Sequence, residues 1–174
     1  MRILVTGASG SGTSTLGRAL AHELGWPVFD ADEYYWLATT PPFQHKRDPG
    51  ERLLSLETAL GRVPDAIVSG SIMNWGRTIE DSFDLIVFLT LAAAIRVARL
   101  EARERATLGQ VDPAFLAWAA QYDEGPPTGR SRARHEAWLA ARTTRVMRID
   151  GDVSVSARVQ RVLALTARVR STRA

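Results

Sequence analysis

The sequence has no cysteine, and only one of its 22 basic residues, Lys46, is a lysine. The missing cysteine excludes a disulfide framework, cysteine-ligated zinc, iron–sulfur clusters and thiol catalysis. It fits a reducing cytoplasm. No stretch approaches the ~20 apolar residues that span a bilayer. The start, Met1 to Thr6, runs straight into a glycine-rich segment rather than a secretory apolar core. These absences predict a cytoplasmic protein without a membrane partner. Histidine is scarce as well: His22, His45 and His135 show no metal-ligand spacing. No Ser/His/Asp hydrolase arrangement and no basic–aromatic RNA-binding pattern is visible.

The other 21 basic residues are arginines, which hold their charge to high pH. They raise the pI to 9.9 while the net charge stays at +3. A net charge that small does not point to a nucleic-acid partner. The 174 residues suit one domain, 1–174, and 45% of them are hydrophobic. A chain of this size buries roughly 70% of the surface its unfolded form exposes, so it needs no covalent staples.

Apolar runs at 3–6, 66–69, 85–89 and 146–149, with the short Val28-Phe29, read as strands. Helices are expected between them at about 13–24, from Asp48-Pro49-Gly50-Glu51 onward, at 92–106, from Asp112-Pro113 to about 122, at 132–141, and in the closing segment. Asp48 is placed as an N-cap with Pro at the first helical position and Glu at the third. The closing helix is expected to carry Val155, Val159, Val162 and Val169 on one side, with a frayed tail from Arg170 to Ala174. Gly125-Pro126-Pro127-Thr128-Gly129 reads as a loop. Strands alternating with helices imply right-handed βαβ units and a parallel sheet covered on both faces. Segments 31–62 and 107–135 fit the alternation least and are expected as mobile flaps over a site, an acceptor-binding region and a lid.

The chemistry concentrates in Gly7-Ala8-Ser9-Gly10-Ser11-Gly12-Thr13-Ser14, between a strand and a helix. It matches the phosphate loop G-x-x-x-x-G-K-[ST] at Gly7, Gly12 and Ser14, and departs at Thr13, where that loop has lysine. Glycines let backbone N–H groups wrap a phosphate, and the helix N-terminus adds its dipole. Ser14 would place its hydroxyl on a nucleotide-bound Mg²⁺. The competing reading is an NAD(P)-binding dinucleotide loop, with Asp30 as the ribose-binding acid. Two features count against it. A G-x-x-G-x-x-G spacing needs glycine where Thr13 stands, and Lys46 has Pro42, not tyrosine, four residues before it.

With this loop, Phe29-Asp30-Ala31-Asp32 and the later arginines, the chain resembles the small P-loop kinases, the group of adenylate, shikimate and gluconate kinases. The resemblance implies a three-layer α/β/α P-loop NTPase fold with a five-stranded parallel sheet, ATP with Mg²⁺, and transfer of the γ-phosphate to a small acceptor. It implies nucleotide contacts from Gly7, Ser9, Gly10, Ser11, Gly12, Thr13, Ser14 and Thr15. Asp30 would help Ser14 hold the metal, and Asp32 would meet the acceptor hydroxyl. The alternative for the pair is that Asp32 caps a helix and Asp30 only ends a strand.

Ser69-Gly70-Ser71 resembles the turn that lines the acceptor pocket, with Trp75, Arg77, Tyr34, Tyr35 and Trp36 as further wall candidates. Arg99-Leu100-Glu101-Ala102-Arg103 resembles the start of a lid. There Arg99 would stack on the base and Arg103 would approach the phosphates. Arg130 is the second clamp candidate. Glu101 and Glu104 are expected to pair with other arginines of that helix. Loss of the loop lysine leaves three outcomes: another cation, such as Arg18, Lys46 or a lid arginine, replaces it; the protein binds nucleotide with little or no catalysis; or the loop holds a different phosphate ligand. The expected partners are a nucleotide and a small acceptor, with the protein a monomer or homodimer.

Overall fold

Five parallel strands carry the molecule: β1 (Arg2–Gly7), β2 (Val28–Asp30), β3 (Ala66–Ser69), β4 (Leu85–Thr90) and β5 (Arg145–Asp150). Their order across the sheet is β2-β3-β1-β4-β5. The computed structural model describes residues 1–125 and 129–171. β1 lies between β3 and β4, with Ile3 level with Ile67 on one side and Leu85 on the other. Both faces of these strands are covered, so they read as unbroken apolar runs rather than alternating ones. Dinucleotide-binding folds place the second strand directly beside the first. Here β3 separates β1 from β2, which removes the dinucleotide alternative at the level of topology.

The strand period of two sends alternate side chains to opposite faces. On one face Leu4, Val68, Ile86 and Phe88 pack with Leu56 and Leu60 of α3 (Pro49–Gly61) and with Trp138 and Leu139 of α7 (Arg132–Ala140). On the other, Ile3, Val5, Ile67, Leu85 and Val87 meet Leu16 and Leu20 of α1 (Thr13–Leu24) and Val159 and Val162 of α8 (Val155–Ser171). The three-layer α/β/α architecture expected from the sequence is present.

Capping residues set the helix starts. The Asp48 carboxylate accepts from the Gly50 and Glu51 N–H groups, and Asp112 does the same for Ala114 and Phe115 at the start of α6 (Pro113–Ala120). Two short helices were absent from the sequence expectation: α2 (Ala31–Tyr35) and α4 (Arg77–Glu80). Each is too short for a hydrophobic period to show. α5 runs Ala93–Leu108, two residues past its expected end.

The valine side of α8 is only partly buried: Val155 is 39% exposed, and the buried stripe of α8 is Arg158, Val159, Val162 and Thr166. The first turn of α8 faces solvent, and an arginine fills the inward position. One pairing expectation is corrected. Glu104 pairs with no arginine among the described residues: it is buried and accepts from the Asp112 N–H at 2.9 Å, tying α5 to the start of α6. The expected loop at 125–129 is described at Gly125 and Gly129, both left-handed, while Pro126 to Thr128 lie outside the described residues, as do Thr172 to Ala174 of the tail.

Candidate functional site

The loop after β1 turns on two glycines. Gly10 (φ 81°) and Gly12 (φ 95°) both sit in the left-handed region that side chains disfavour. A Cβ on Gly10 would lie 2.5 Å from the Arg96 carbonyl oxygen, so the loop closes against α5 only with glycine there. Ser11 is committed to the loop itself: it is fully buried and its N–H donates to the Ala8 carbonyl at 3.1 Å. α1 then begins at Thr13 with no side-chain cap on its N-terminus. Its first N–H groups, which no helix satisfies internally, open toward the loop.

Ser14 and Asp30 meet directly. The Ser14 hydroxyl donates to Asp30 Oδ2 at 2.8 Å. The other oxygen, Oδ1, accepts from the Asp32 N–H at 3.1 Å and caps α2. The capping alternative therefore falls on Asp30, not Asp32. The Asp32 carboxylate has no hydrogen-bond or ion-pair partner among the described residues and remains solvent-accessible. Desolvation by the surrounding protein raises its pKa from the ordinary carboxylate value, the Arg130 charge lowers it, Asp30 raises it further, and Arg103 lowers it. Asp32, Arg130 and Arg103, chosen from three separate segments, thus share one electrostatic neighbourhood.

Arg130 also donates to Ser9 Oγ at 3.2 Å, joining the segment before α7 to the tip of the loop. Arg99 lies on the other side of the loop, near Arg158. It pairs with Asp152 at 2.7 Å, beside the turn after β5. Thr15 is exposed on α1, and Thr13 is partly buried. Arg18 is exposed, and Lys46 lies 5.9 Å from the centre of the Tyr35 ring, toward the α2–α3 side. Arg77 pairs with Asp81 on the surface.

Several arginines and one histidine take places the sequence did not signal. Arg96, one of the lid-helix series, is completely buried; it donates to the Leu91 and Ala119 carbonyls and pairs with Asp123 at 2.9 Å. Arg52 lies against Tyr35 and Trp75, 4.9 Å from each ring centre, with those rings roughly parallel. Trp75 is held in turn by buried Glu80, which accepts from the Trp75 N–H at 3.0 Å and from Trp138 Nε1 at 2.8 Å. His135 is fully buried between Tyr122 (2.6 Å, on Nδ1) and Ser71 (3.4 Å, on Nε2). Burial, and then the Arg130 charge, push its pKa down to about 3. Burial also raises the Tyr122 phenol. The pair is neutral and ties Ser71, two residues beyond the end of β3, to α7 and the end of the α6 segment.

No metal-binding cluster of histidine, aspartate and glutamate exists among the described residues. Nor is any described helix long and apolar enough to cross a membrane.

No model of a known protein family matches the chain. It is 41% identical over 171 residues to the uncharacterized protein YqaC of Bacillus subtilis (strain 168), covering 92% of this chain and 94% of that one. Among solved structures it is similar to shikimate kinase from Acinetobacter baumannii in complex with shikimate, with a TM-score of 0.61, 17% identity, and coverage of 95% and 92% of the two chains. It is similar also to a gluconokinase from Sinorhizobium meliloti 1021, with a TM-score of 0.58, 19% identity, and coverage of 98% and 94%. The fold is that of the small P-loop kinases.

Proposed function

We propose, for a chain that belongs to the family of Bacillus subtilis YqaC and has the P-loop kinase fold, a phosphotransferase that moves the γ-phosphoryl group of ATP to a hydroxyl of a small acceptor. The observation that carries this reading is the convergence of the Gly7–Ser14 loop, the Ser14–Asp30 pair and the Asp32 carboxylate at one sheet edge. α/β sheets bind ligands at that edge, beyond the carboxyl ends of their strands.

In this reading the loop and the first turn of α1, with Gly7, Gly10, Gly12, Thr13 and Thr15, hold the phosphates through backbone N–H groups. Ser14 and Asp30 present hard oxygen atoms side by side, the donor type Mg²⁺ prefers. When bound, that ion neutralises charge on the phosphate oxygens. Asp32 accepts the proton of the acceptor hydroxyl. The acceptor oxygen bonds to the γ-phosphorus as the bond to the ADP oxygen breaks. Arg130, anchored on Ser9, and Arg103 supply positive charge where negative charge develops. Arg52, seated on Tyr35 and Trp75, suits an acceptor with an anionic group. The test is ATP turnover coupled to ADP detection across a panel of nucleoside monophosphates and sugar acids. Turnover with one member supports the reading.

Thr13 favours a second reading, a nucleotide-binding module with little turnover, because its short side chain cannot reach a γ-phosphate as lysine does. Tight ATP binding without ADP release on any acceptor would select it.

A further inference from the structure

The cation missing at Thr13 has a candidate replacement on the last helix. Arg158 of α8 is only 3% exposed. Its Nη1 donates to the Ser11 carbonyl at 3.0 Å and its Nη2 to the Gly151 carbonyl at 3.2 Å. A Cβ on Gly12 would lie 3.1 Å from Nη1, so the guanidinium touches the residue just before Thr13. Its Nε is buried without a hydrogen-bond partner. No carboxylate pairs with it among the described residues: the nearby acid, Asp152, is held by Arg99. Burial and the Arg99 charge lower its pKa, while Asp152 raises it.

An unpaired buried cation is costly, and the usual remedy is a counter-ion. Neither backbone carbonyl is one. Phosphates held inside the loop would be. A direct route also carries the charge across. The Ser11 carbonyl and the Gly12 N–H belong to one peptide unit, so a charged donor on the carbonyl polarises the N–H on the opposite side. The other cations are placed differently. Arg18 is in solvent and Lys46 lies against Tyr35, while Arg130 and Arg103 act on the Asp32 side of the site, where the phosphoryl group would be transferred.

We infer that Arg158 is a positioning residue that supplies, from behind the phosphate loop, the fixed positive charge the loop lacks at Thr13. The inference rests on the phosphate-loop reading above. It is tested by dissociation constants for ATP and ADP in the full-length protein, its R158Q and T13K variants and the double variant, at fixed salt, with thermal melts to confirm folding. R158Q should weaken both nucleotides by about 10- to 100-fold, the range for hydrogen bonds to charged groups. T13K should recover most of that loss in the R158Q background and improve the parent less than about threefold, because the two cations substitute for each other. A purely structural arginine would not be rescued by a lysine on the loop. R158Q binding within about threefold of the parent, with T13K equally effective in both backgrounds, overturns the assignment. If R158Q does not fold, T13K in the parent decides: a gain beyond about tenfold shows a loop without a cation and overturns it as well. A parent protein that binds neither ATP nor ADP removes the phosphate-loop reading, and Arg158 falls with it.

Discussion

The Ser14 hydroxyl donates to the Asp30 carboxylate across 2.8 Å, joining the first turn of α1 to the end of β2. Neither group needs the other for helix capping, since Asp30 caps α2 with its second oxygen. Ser14→Ala should therefore leave the fold intact. It should weaken nucleotide binding by about 1–2 kcal/mol with Mg²⁺ present and by much less in chelator. Calorimetric titration under both conditions checks this. Equal losses would detach Ser14 from the metal.

Asp32 sits two residues beyond Asp30 with its carboxylate unengaged. Asp32→Asn should lower turnover by about 10²- to 10⁴-fold, the usual scale of a positioned acid–base group. Nucleotide affinity should stay within a few fold. Steady-state kinetics and a binding titration on the same variant separate the two effects. Unchanged turnover would reduce Asp32 to a first-turn residue of α2.

Arg130 opposes the upward push on Asp32. Activity should need ionised Asp32, so the rate should fall as pH drops through its titration. Arg130→Gln removes a lowering charge and should move that acid limb to still higher pH. The pH dependence of kcat/KM in the two proteins provides the comparison. A limb that stays in place would mean that Asp32 and Arg130 do not act on each other.

His135 is buried neutral with its pKa near 3, whereas an unfolded histidine titrates near ~6.5. Between those values the unfolded chain takes up a proton that the folded one refuses. Stability should therefore fall as pH drops from about 6.5, by at most ~1.4 kcal/mol per pH unit from this group. His135→Gln should flatten that slope. Denaturant unfolding at a series of pH values from neutral to mildly acidic reads it directly. Identical slopes in parent and variant would place the acid sensitivity elsewhere.

Much of this was legible in the sequence where local chemistry decides. Asp48-Pro49 and Asp112-Pro113 start their helices because a capping carboxylate and a preset φ act within a few residues. The glycines of the loop and the Asp30–Asp32 spacing mark the site for the same reason. Contacts across long sequence separation were not legible. Arg96 looks like its neighbours Arg99 and Arg103, yet it is wholly buried against Asp123, 27 positions away. Arg158 interrupts a valine pattern that set Val155 on the same side as Val159 and Val162, and only packing against the loop shows which side chain turns in. Arg52 gains its place from Trp75, itself fixed by Glu80 from the next short helix.

The central claim is that the Gly7–Ser14 loop holds the phosphates of a magnesium nucleotide. Calorimetric titration of the purified protein with ATP and Mg²⁺, beside an identical titration with NADP, tests it most directly. Saturable binding of the magnesium nucleotide, with none for NADP, is the expected result. Binding of NADP with no heat from Mg-ATP or Mg-ADP would contradict it.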